Sequence, residues 1–337
     1  MPSVAKPKIT DMNLTNAIVV HQTGGPEVMQ WESIALPELQ AGQVRIRHTV
    51  IGFNMIDTYR RKGLYPMPLP FVPGSEAVGV VEAVADDVSS LQAGDRVVYS
   101  VAESGSYCQQ RVMFADRLVR LPEDIPDEVA AASFLKGLTV WALLKKVKPV
   151  QPGDSLLVYA AAGGVGTLLC QWAKHLSARV IGVVGSDDKM LIAQQYGCDE
   201  VINYNKSDIA AMVKRYTDGK GVNVVYDSMG QATFKASLDS LKPLGMMVSF
   251  GNATGPVPPV DVLDLMRRGS LFLTRPTLFN YIATRSELEH GASDLFEHIR
   301  KGIVKVSINQ RYPLQQAIQA HIAVESKQTT GATILIV

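Results

Sequence analysis

The chain has 337 residues, of which 47% are hydrophobic and 19% charged, so it is long enough for two globular domains with sizeable cores. Its 33 Lys and Arg residues balance its 32 Asp and Glu residues, which argues against a broad basic surface for duplex nucleic acid or an anionic membrane. The longest apolar stretch, residues 156–170, is too short to span a membrane, and the N-terminus lacks a signal-peptide core, so we expect a cytoplasmic protein.

The cysteine and histidine content argues against a metal site. The three cysteines, Cys108, Cys170 and Cys198, are far apart in the sequence, and the six histidines include no HxxxH pair. Neither a disulfide framework nor a zinc site made of Cys and His is therefore expected.

The first part of the chain reads as short strands. Residues 1–12 are polar and patternless, and we interpret them as an N-terminal tail. Turn residues such as Gly, Pro and Asp separate the apolar runs that follow, which predicts a barrel-like, mostly antiparallel β domain. The predicted strands are 17–21, 43–51, 77–85, 96–100, 107–114 and 118–121.

The pattern changes to alternating strands and helices after Pro126. Residues 127–147 have helical spacing, and from residue 155 short apolar strands alternate with amphipathic helices, which is typical of a doubly wound parallel α/β sheet. The predicted strands are 156–160, 180–184, 201–202, 224–226, 246–250 and 271–273. After residue 275 we predict a helix (284–300), a strand (304–309), a helix (314–325) and a strand (332–337), a tail that would complete the first domain.

The strongest chemical signal is the turn at residues 161–166 (AAGGVG), which follows a predicted strand and opens a predicted helix. It matches the dinucleotide-binding fingerprint GxGxxG with Ala in the first position. Gly163 would let the backbone approach a pyrophosphate, and Gly166 would let the helix pack closely on the strand. A glycine-rich turn that only packs well is the simpler alternative, but the alternating strands and helices around it favour phosphate binding.

The end of the second strand of this sheet indicates which nicotinamide cofactor binds. NAD enzymes usually have Asp or Glu there, gripping the ribose hydroxyls. This chain has Gly185 and Ser186, followed by Lys189, which suits the 2′-phosphate of NADPH. Asp187 and Asp188 complicate this prediction, because either could hold an NAD ribose. Alternatively, both could stabilise the dipole of a helix that begins after Ser186.

Several motifs together resemble the zinc-free NADPH:quinone oxidoreductases, the zeta-crystallin-like branch of the medium-chain dehydrogenase/reductase superfamily. The resemblance runs from about residue 17 to the C-terminus. The motifs that carry it are residues 52–59 (GFNMIDTY), 63–66 (GLYP), 73–76 (PGSE), 93–97 (AGDRV), 133–139 (SFLKGLT), 225–228 (VYDS), 249–252 (SFGN) and 274–276. Zinc-dependent members carry ligands where this chain has Asn54 and Ser75, so the resemblance also implies that no metal is bound.

The resemblance implies a GroES-like, mostly β catalytic domain and a Rossmann domain that binds NADPH. We predict the tail at 1–12, the catalytic domain at 13–139 and 276–337, and the cofactor domain at 140–275. Asn54, Tyr59 and Tyr65 would border the nicotinamide and the substrate as catalytic residues. The implied cofactor-binding residues are Asn54, Asp57, Trp141, Gly163, Gly164, Val165, Gly185, Ser186, Lys189, Tyr204, Ser228, Phe250, Gly251, Asn252, Arg275 and Lys327. Trp141 and Lys327 depart from the family's pattern, which more often has Tyr and Arg there.

The function that the resemblance implies is NADPH-dependent, zinc-independent reduction of a quinone in an interdomain cleft. A quinone needs little acid assistance, which fits a site with no obvious His or Cys. One alternative is a zinc-free reductase of α,β-unsaturated aldehydes or ketones. Another is a non-enzymatic role, as a crystallin-like protein or by binding single-stranded RNA, which the family permits and the near-zero charge does not favour. The resemblance also implies a homodimer joined at residues 246–273.

Overall fold

The computed structural model describes residues 13–337, and the predicted tail at 1–12 lies outside the described residues. Fifteen strands and ten α-helices follow one another along this part of the chain. The strands are β1 (Leu14–Val20), β2 (Met29–Ala35), β3 (Gln43–Gly52), β4 (Glu76–Val84), β5 (Arg96–Ser100), β6 (Gln110–Phe114), β7 (Leu118–Arg120), β8 (Ser155–Tyr159), β9 (Arg179–Val184), β10 (Glu200–Asn203), β11 (Val222–Asp227), β12 (Leu241–Ser249), β13 (Phe272–Thr274), β14 (Ile308–Pro313) and β15 (Ala332–Ile336). The α-helices are α1 (Met55–Arg61), α2 (Asp127–Trp141), α3 (Gly164–His175), α4 (Asp187–Gln195), α5 (Ile209–Tyr216), α6 (Phe234–Asp239), α7 (Val262–Arg267), α8 (Leu278–Tyr281), α9 (Arg285–Arg300) and α10 (Ala317–Glu325). A π-helical segment, Ala142–Val147, continues α2. No helix in residues 13–337 is both long and apolar enough to cross a membrane.

The chain divides into two compact units. The first contains residues up to 135 together with 310–328 and 333–337. Its main sheet has seven strands, with β14, β15, β3, β4, β5 and β7 side by side and β6 paired to β3. The pairings of β3 with β4, β6 and β15 are antiparallel, as the turn-rich sequence predicts. The C-terminal strands β14 and β15 thus belong to the main sheet of the first unit.

The second unit contains residues 136–309 and 329–332 and is built on a six-stranded sheet. Its strand order is β10-β9-β8-β11-β12-β13, and the paired strands are parallel. Numbered within the unit, this is the order 3-2-1-4-5-6 of a dinucleotide-binding doubly wound sheet. The predicted α/β fold is therefore confirmed. In such a sheet, ligands bind beyond the carboxyl ends of the strands, at the point where the strand order reverses. That point lies between β8 and β11.

The second unit differs from the predicted cofactor domain, because it also includes residues 136–139, 276–309 and 329–332. The physical reason lies in α9, whose Leu295 packs so closely on Gly137 that an added Cβ there would lie 2.7 Å from Leu295 Cδ2. The indole N–H of Trp141 also donates to Asp294 of α9 at 3.1 Å. This packing had no signal in the sequence, because α9 has an apolar face of its own and the pattern does not show which domain that face packs against.

Candidate functional site

The glycine turn joins β8 to α3 in a conformation that only small residues permit. Ala160, the first residue after β8, has a φ of +50°, and its carbonyl accepts the N–H of Gly163 at 2.8 Å. A Cβ added at Gly166 would overlap this carbonyl oxygen and lie 2.8 Å from the Ala161 Cα. Gly166 therefore permits the close approach of helix and strand end, as the sequence predicts.

The same turn presents the N-terminus of α3 to the carboxyl edge of the sheet. Gly163 is the N-cap residue, with Gly164 and Val165 following in the first turn, where no acidic residue occurs. The N–H of Gly331 donates to Ala162 at 3.0 Å and braces the turn. A Cβ on Gly164 would lie 3.1 Å from the side chain of Lys136, so the space beside it is already narrow. Backbone N–H groups, a helix dipole and missing Cβ atoms fit a pyrophosphate.

The predicted residues at the ends of β9 and β10 lie together. Ser186 is the N-cap residue of α4, as predicted, and within the described residues its hydroxyl makes no capping bond. A Cβ added at Gly185 would lie 2.7 Å from the Tyr204 hydroxyl, so Tyr204 covers this turn. Lys189 is half-buried in the first turn of α4, and burial lowers the pKa of its ammonium group. An anion beside Lys189 would offset that cost.

The other half of the sheet edge carries the remaining predicted cofactor residues. Ser228 follows β11, and residues 250–252 (Phe250, Gly251 and Asn252) follow β12. A Cβ on Gly251 would overlap the Ser228 carbonyl oxygen, so these two turns touch. Arg275 follows β13, and its guanidinium donates to the Ser249 carbonyl at 2.8 Å. Six adjacent strands thus end in predicted cofactor residues.

The first unit holds the predicted catalytic residues in and around α1. Asn54 is buried as the N-cap residue, and the carboxylate of Asp57 accepts its backbone N–H at 3.0 Å. Asp57 also accepts the Tyr107 hydroxyl at 3.2 Å. The rings of Tyr59 and Tyr65 meet edge to face, with their centroids 5.5 Å apart. The fold therefore brings these four predicted residues to one helix and the loop after it.

The resemblance implies that zinc-dependent relatives carry ligands at the positions of Asn54 and Ser75, and in this chain both side chains make internal hydrogen bonds. The Asn54 side-chain amide donates to Glu76 at 2.7 Å. The guanidinium of Arg60, itself buried, donates to the Ser75 hydroxyl at 2.6 Å. Within residues 13–337, no group of three or more His, Cys, Asp or Glu side chains is arranged to hold a metal ion.

Two predicted cofactor residues differ from the others in their surroundings. The Trp141 side chain is fully buried, and its indole N–H is used by Asp294. A cofactor contact from Trp141 would require that hydrogen bond to break. Lys327 lies in the first unit, in the exposed segment after α10, with a left-handed φ of +61°. Cofactor contacts at both positions remain predictions.

Sequence reasoning missed two buried carboxylates that organise the site. Asp227 accepts the N–H groups of Met229 and Gly230 at 2.7 and 3.0 Å and thereby shapes the turn that holds Ser228. Glu76 accepts the Leu135 N–H at 2.6 Å in addition to the Asn54 amide. Both carboxylates lie inside motifs that carry the resemblance, residues 225–228 and 73–76. A charged residue that ends or begins an apolar strand is the available signal.

The family comparisons divide the chain as the two units do. Residues 40–123 match the alcohol dehydrogenase GroES-like domain. Residues 164–297 match a family described as zinc-binding dehydrogenase.

Individual relatives extend the similarity to nearly the whole chain. A quinone oxidoreductase of Salmonella typhimurium is 47% identical over 326 residues, which are 96% of this chain and 100% of that protein. The crystal structure of Escherichia coli quinone oxidoreductase complexed with NADPH has a TM-score of 0.94 and 45% identity, covering 96% of this chain and 100% of the other. A 2-haloacrylate reductase of a Burkholderia species is 42% identical over 95% of this chain and 98% of its own length.

Proposed function

Because the chain belongs to the quinone oxidoreductase family of the medium-chain dehydrogenase/reductase superfamily, we propose that it is an NADPH:quinone oxidoreductase that works without zinc. One observation supports this proposal most directly. The predicted cofactor residues of the second unit, apart from Trp141, follow the carboxyl ends of six neighbouring parallel strands, with the glycine turn beside the point where the strand order reverses. We also propose that the protein acts in the cytoplasm.

The second unit would bind the dinucleotide through three groups of residues. The N–H groups at the start of α3, with Gly163, Gly164 and Val165, would hold the pyrophosphate. Ser186, Lys189 and Tyr204 would hold the adenosine 2′-phosphate, with Gly185 leaving room for the Tyr204 hydroxyl. Ser228, Phe250, Gly251, Asn252 and Arg275 would contact the rest of the dinucleotide. Bound NADPH supplies a hydride from C4 of its nicotinamide, which is the redox chemistry of the reaction.

The first unit would contribute orientation rather than acid catalysis. Glu76 and Asp57 fix the Asn54 amide and backbone, so this residue can position a ring without rearranging. Tyr65, which is half-buried, would offer an aromatic face to a flat quinone, and the buried Tyr59 packs edge to face against it. A quinone delocalises the charge that it gains, so positioning and stacking are sufficient.

A second candidate function is reduction of a carbon–carbon double bond conjugated to a carboxyl or carbonyl group. The similarity to the 2-haloacrylate reductase favours it, and the same residues would bind the cofactor. NADPH oxidation measured against quinones, enals, enones and 2-haloacrylates decides between the two. The quinone proposal requires quinones to be the best substrates, and turnover of only the enones or haloacrylates would refute it.

Binding of single-stranded RNA has less support, because three of the basic residues near one another in the sequence are already in ion pairs. Lys145 and Lys146 form ion pairs of 2.8 Å with Asp294 and Glu287. Arg120 pairs with Asp95 at 3.0 Å. If RNA nevertheless binds, affinity must fall steeply as salt is added.

We further propose that the protein forms a homodimer through the edge of the six-stranded sheet. β13 is one of the two edge strands, and the apolar side chains of Phe272 on β13 and Val262 on α7 are 54% and 74% exposed. Leu244, Leu263 and Met266 extend this exposed apolar surface. Unpaired edge strands with apolar neighbours commonly pair with another chain. Light scattering should give a dimer mass for the wild type and a smaller mass for Phe272→Lys.

A further inference from the structure

An ion pair stands beside the proposed 2′-phosphate position. Asp187 is the first residue of α4, directly after Ser186, and its carboxylate accepts a hydrogen bond from the ammonium group of Lys206. The other carboxylate oxygen accepts the side-chain amide of Asn203 at 2.8 Å. Both oxygens of Asp187 are therefore engaged by neighbouring side chains. These hydrogen bonds, that of Lys206 first, lower the pKa of Asp187, so the carboxylate is charged at neutral pH.

The position of Lys206 is fixed by the turn that follows β10. Asn203 is buried at the end of that strand, and its backbone carbonyl accepts the N–H groups of Lys206 and Ser207 at 3.0 and 3.1 Å. The side-chain amide of Asn205 donates to the Gly185 carbonyl at 2.7 Å and ties this turn to the β9–α4 connection. The backbone thus places Lys206 beside Asp187.

An unpaired carboxylate at position 187 would favour NADH over NADPH for two reasons. Its charge would repel the dianionic 2′-phosphate, which on the proposed function binds at the neighbouring Ser186 and Lys189. Its oxygens could also accept hydrogen bonds from the free ribose hydroxyls of NADH, as the acidic residue of NAD enzymes does. Pairing with Lys206 offsets the charge and uses one of the two oxygens.

We propose that Lys206 is a specificity-determining residue, which keeps the site selective for NADPH by neutralising Asp187. This inference rests on the proposed function, because it concerns the cofactor of that reaction. Asp187 and Asp188 carry the negative charges in the first turn of α4; Lys189 follows them in the sequence, and Lys206 pairs with Asp187. Removing Lys206 leaves two acids against one lysine at the position where a dianion must bind.

Four proteins test this role by a double-mutant cycle: wild type, Lys206→Ala, Asp187→Asn and the double variant. Dissociation constants for NADPH and NADH are measured by fluorescence titration at low salt, together with those for 2′,5′-ADP and 5′-AMP. We expect Lys206→Ala to weaken the binding of NADPH and 2′,5′-ADP by about two- to fivefold, which is the effect of losing one exposed ion pair. NADH and 5′-AMP should bind no more weakly than to wild type.

The Asp187→Asn variant shows whether Lys206 acts by neutralising Asp187 or by contacting the phosphate directly. Asp187→Asn removes the charge and keeps an oxygen for the Asn203 amide. If Lys206 acts through Asp187, adding Lys206→Ala to Asp187→Asn should change NADPH affinity less than about twofold. An equal loss in both backgrounds means that Lys206 contacts the phosphate itself, and it overturns the proposal. The proposal is also overturned if Lys206→Ala weakens NADPH and NADH binding equally, or if it leaves the ratio of the two affinities unchanged.

Lys174→Ala is the matched control. Lys174 is also ion-paired with an aspartate, Asp199, and is 50% exposed against 64% for Lys206. It lies in the last turn of α3, away from the carboxyl ends of the strands, so its loss should leave both cofactor affinities unchanged. Wild-type protein that binds no NADPH refutes the proposed function. Wild-type preference for NADPH that Lys206→Ala leaves intact refutes only the role of Lys206.

Discussion

A single methyl group should have different effects at two glycines of the same turn. At Gly166 an added Cβ would meet three backbone atoms closer than 3.0 Å, among them the Ala161 Cα at 2.8 Å and the Ala160 carbonyl carbon at 2.9 Å. None of these atoms can rotate away as a side chain would. At Gly163 the nearest atom is the Ala160 carbonyl oxygen at 3.2 Å, and the backbone is extended with a φ of −88°. Gly163 therefore accepts Ala with a small local adjustment.

The magnitude follows from these contacts. Overpacking of this kind costs about 1–3 kcal/mol. Ala has a helix propensity up to about 1 kcal/mol better than that of Gly, which offsets part of the cost at Gly166. We expect Gly166→Ala to lower the free energy of unfolding by roughly 1–2 kcal/mol, or the melting temperature by roughly 2–8 °C for a unit of this size. Gly163→Ala should cost less than about 1 kcal/mol, mostly because Ala is a poorer N-cap residue than Gly.

Thermal unfolding with and without NADPH measures both the stability and the binding effect. Bound NADPH at a hundred times its dissociation constant should stabilise the wild type by about 2.7 kcal/mol. Gly163→Ala should lose most of this increment, because the methyl group would stand where the pyrophosphate approaches the backbone. An unchanged increment would show that the phosphate is not held at Gly163. An unchanged melting temperature for free Gly166→Ala would show that the helix does not pack on the turn as closely as described.

Three further predictions concern metal, charge and pH. Prolonged chelation should leave quinone reduction unchanged, and elemental analysis should find no stoichiometric zinc, since Arg60 holds a positive charge against Ser75; parallel loss of zinc and activity would contradict this. Lys189→Ala should weaken NADPH binding by about tenfold and NADH binding little. Burial lowers the pKa of Lys189 in the free protein, whereas a bound phosphate would raise it, so NADPH affinity should decline at alkaline pH in the wild type and not in the variant. Burial lowers the pKa of His48 from 6.5 to about 4, so the unfolded chain takes up a proton before the folded protein does, and stability should fall between these pH values; His48→Gln should flatten this part of a denaturation-against-pH curve by up to about 3 kcal/mol.

The parallel sheet was predictable because each of its strands is a short apolar run between amphipathic helices. The predicted strand at 180–184 and the observed β9 (Arg179–Val184) differ by one residue. Prediction was poorest where burial did not produce a simple pattern. β2 (Met29–Ala35) has Met29 as its one buried residue and mixes polar and apolar side chains at its other positions, and α1 (Met55–Arg61) is only seven residues long. A strand with one buried residue and a two-turn helix give too few repeats for a period to show.

The glycine turn was predictable because its backbone conformation requires a particular residue type. Position 166 must be glycine because the Ala160 carbonyl lies where a Cβ would be, and this requirement appears in the sequence as the spacing of the glycine motif. The pairing of Asp187 with Lys206 was not visible, because it joins residues on two different strand ends. Sequence reasoning could therefore name Asp187 as a candidate ligand of an NAD ribose but could not say whether its charge was already neutralised. Long-range charge pairs depend on which strands are neighbours, and that is a property of the fold.

The first unit shows how the predicted active-site residues can be held without a cation. A metal ion orients its ligands by attracting their lone pairs, and removing it would leave oxygens and amides with no fixed direction. Here hydrogen-bond donors take that part: Arg60 donates to Ser75, and Asn54 donates to Glu76 at 2.7 Å. Glu76 in turn accepts the Leu135 N–H at its other carboxylate oxygen, so two fixed donors stabilise its charge. The Asn54 amide is thereby oriented by groups of the chain itself, as a positioning residue must be for a reaction whose redox chemistry comes from the cofactor.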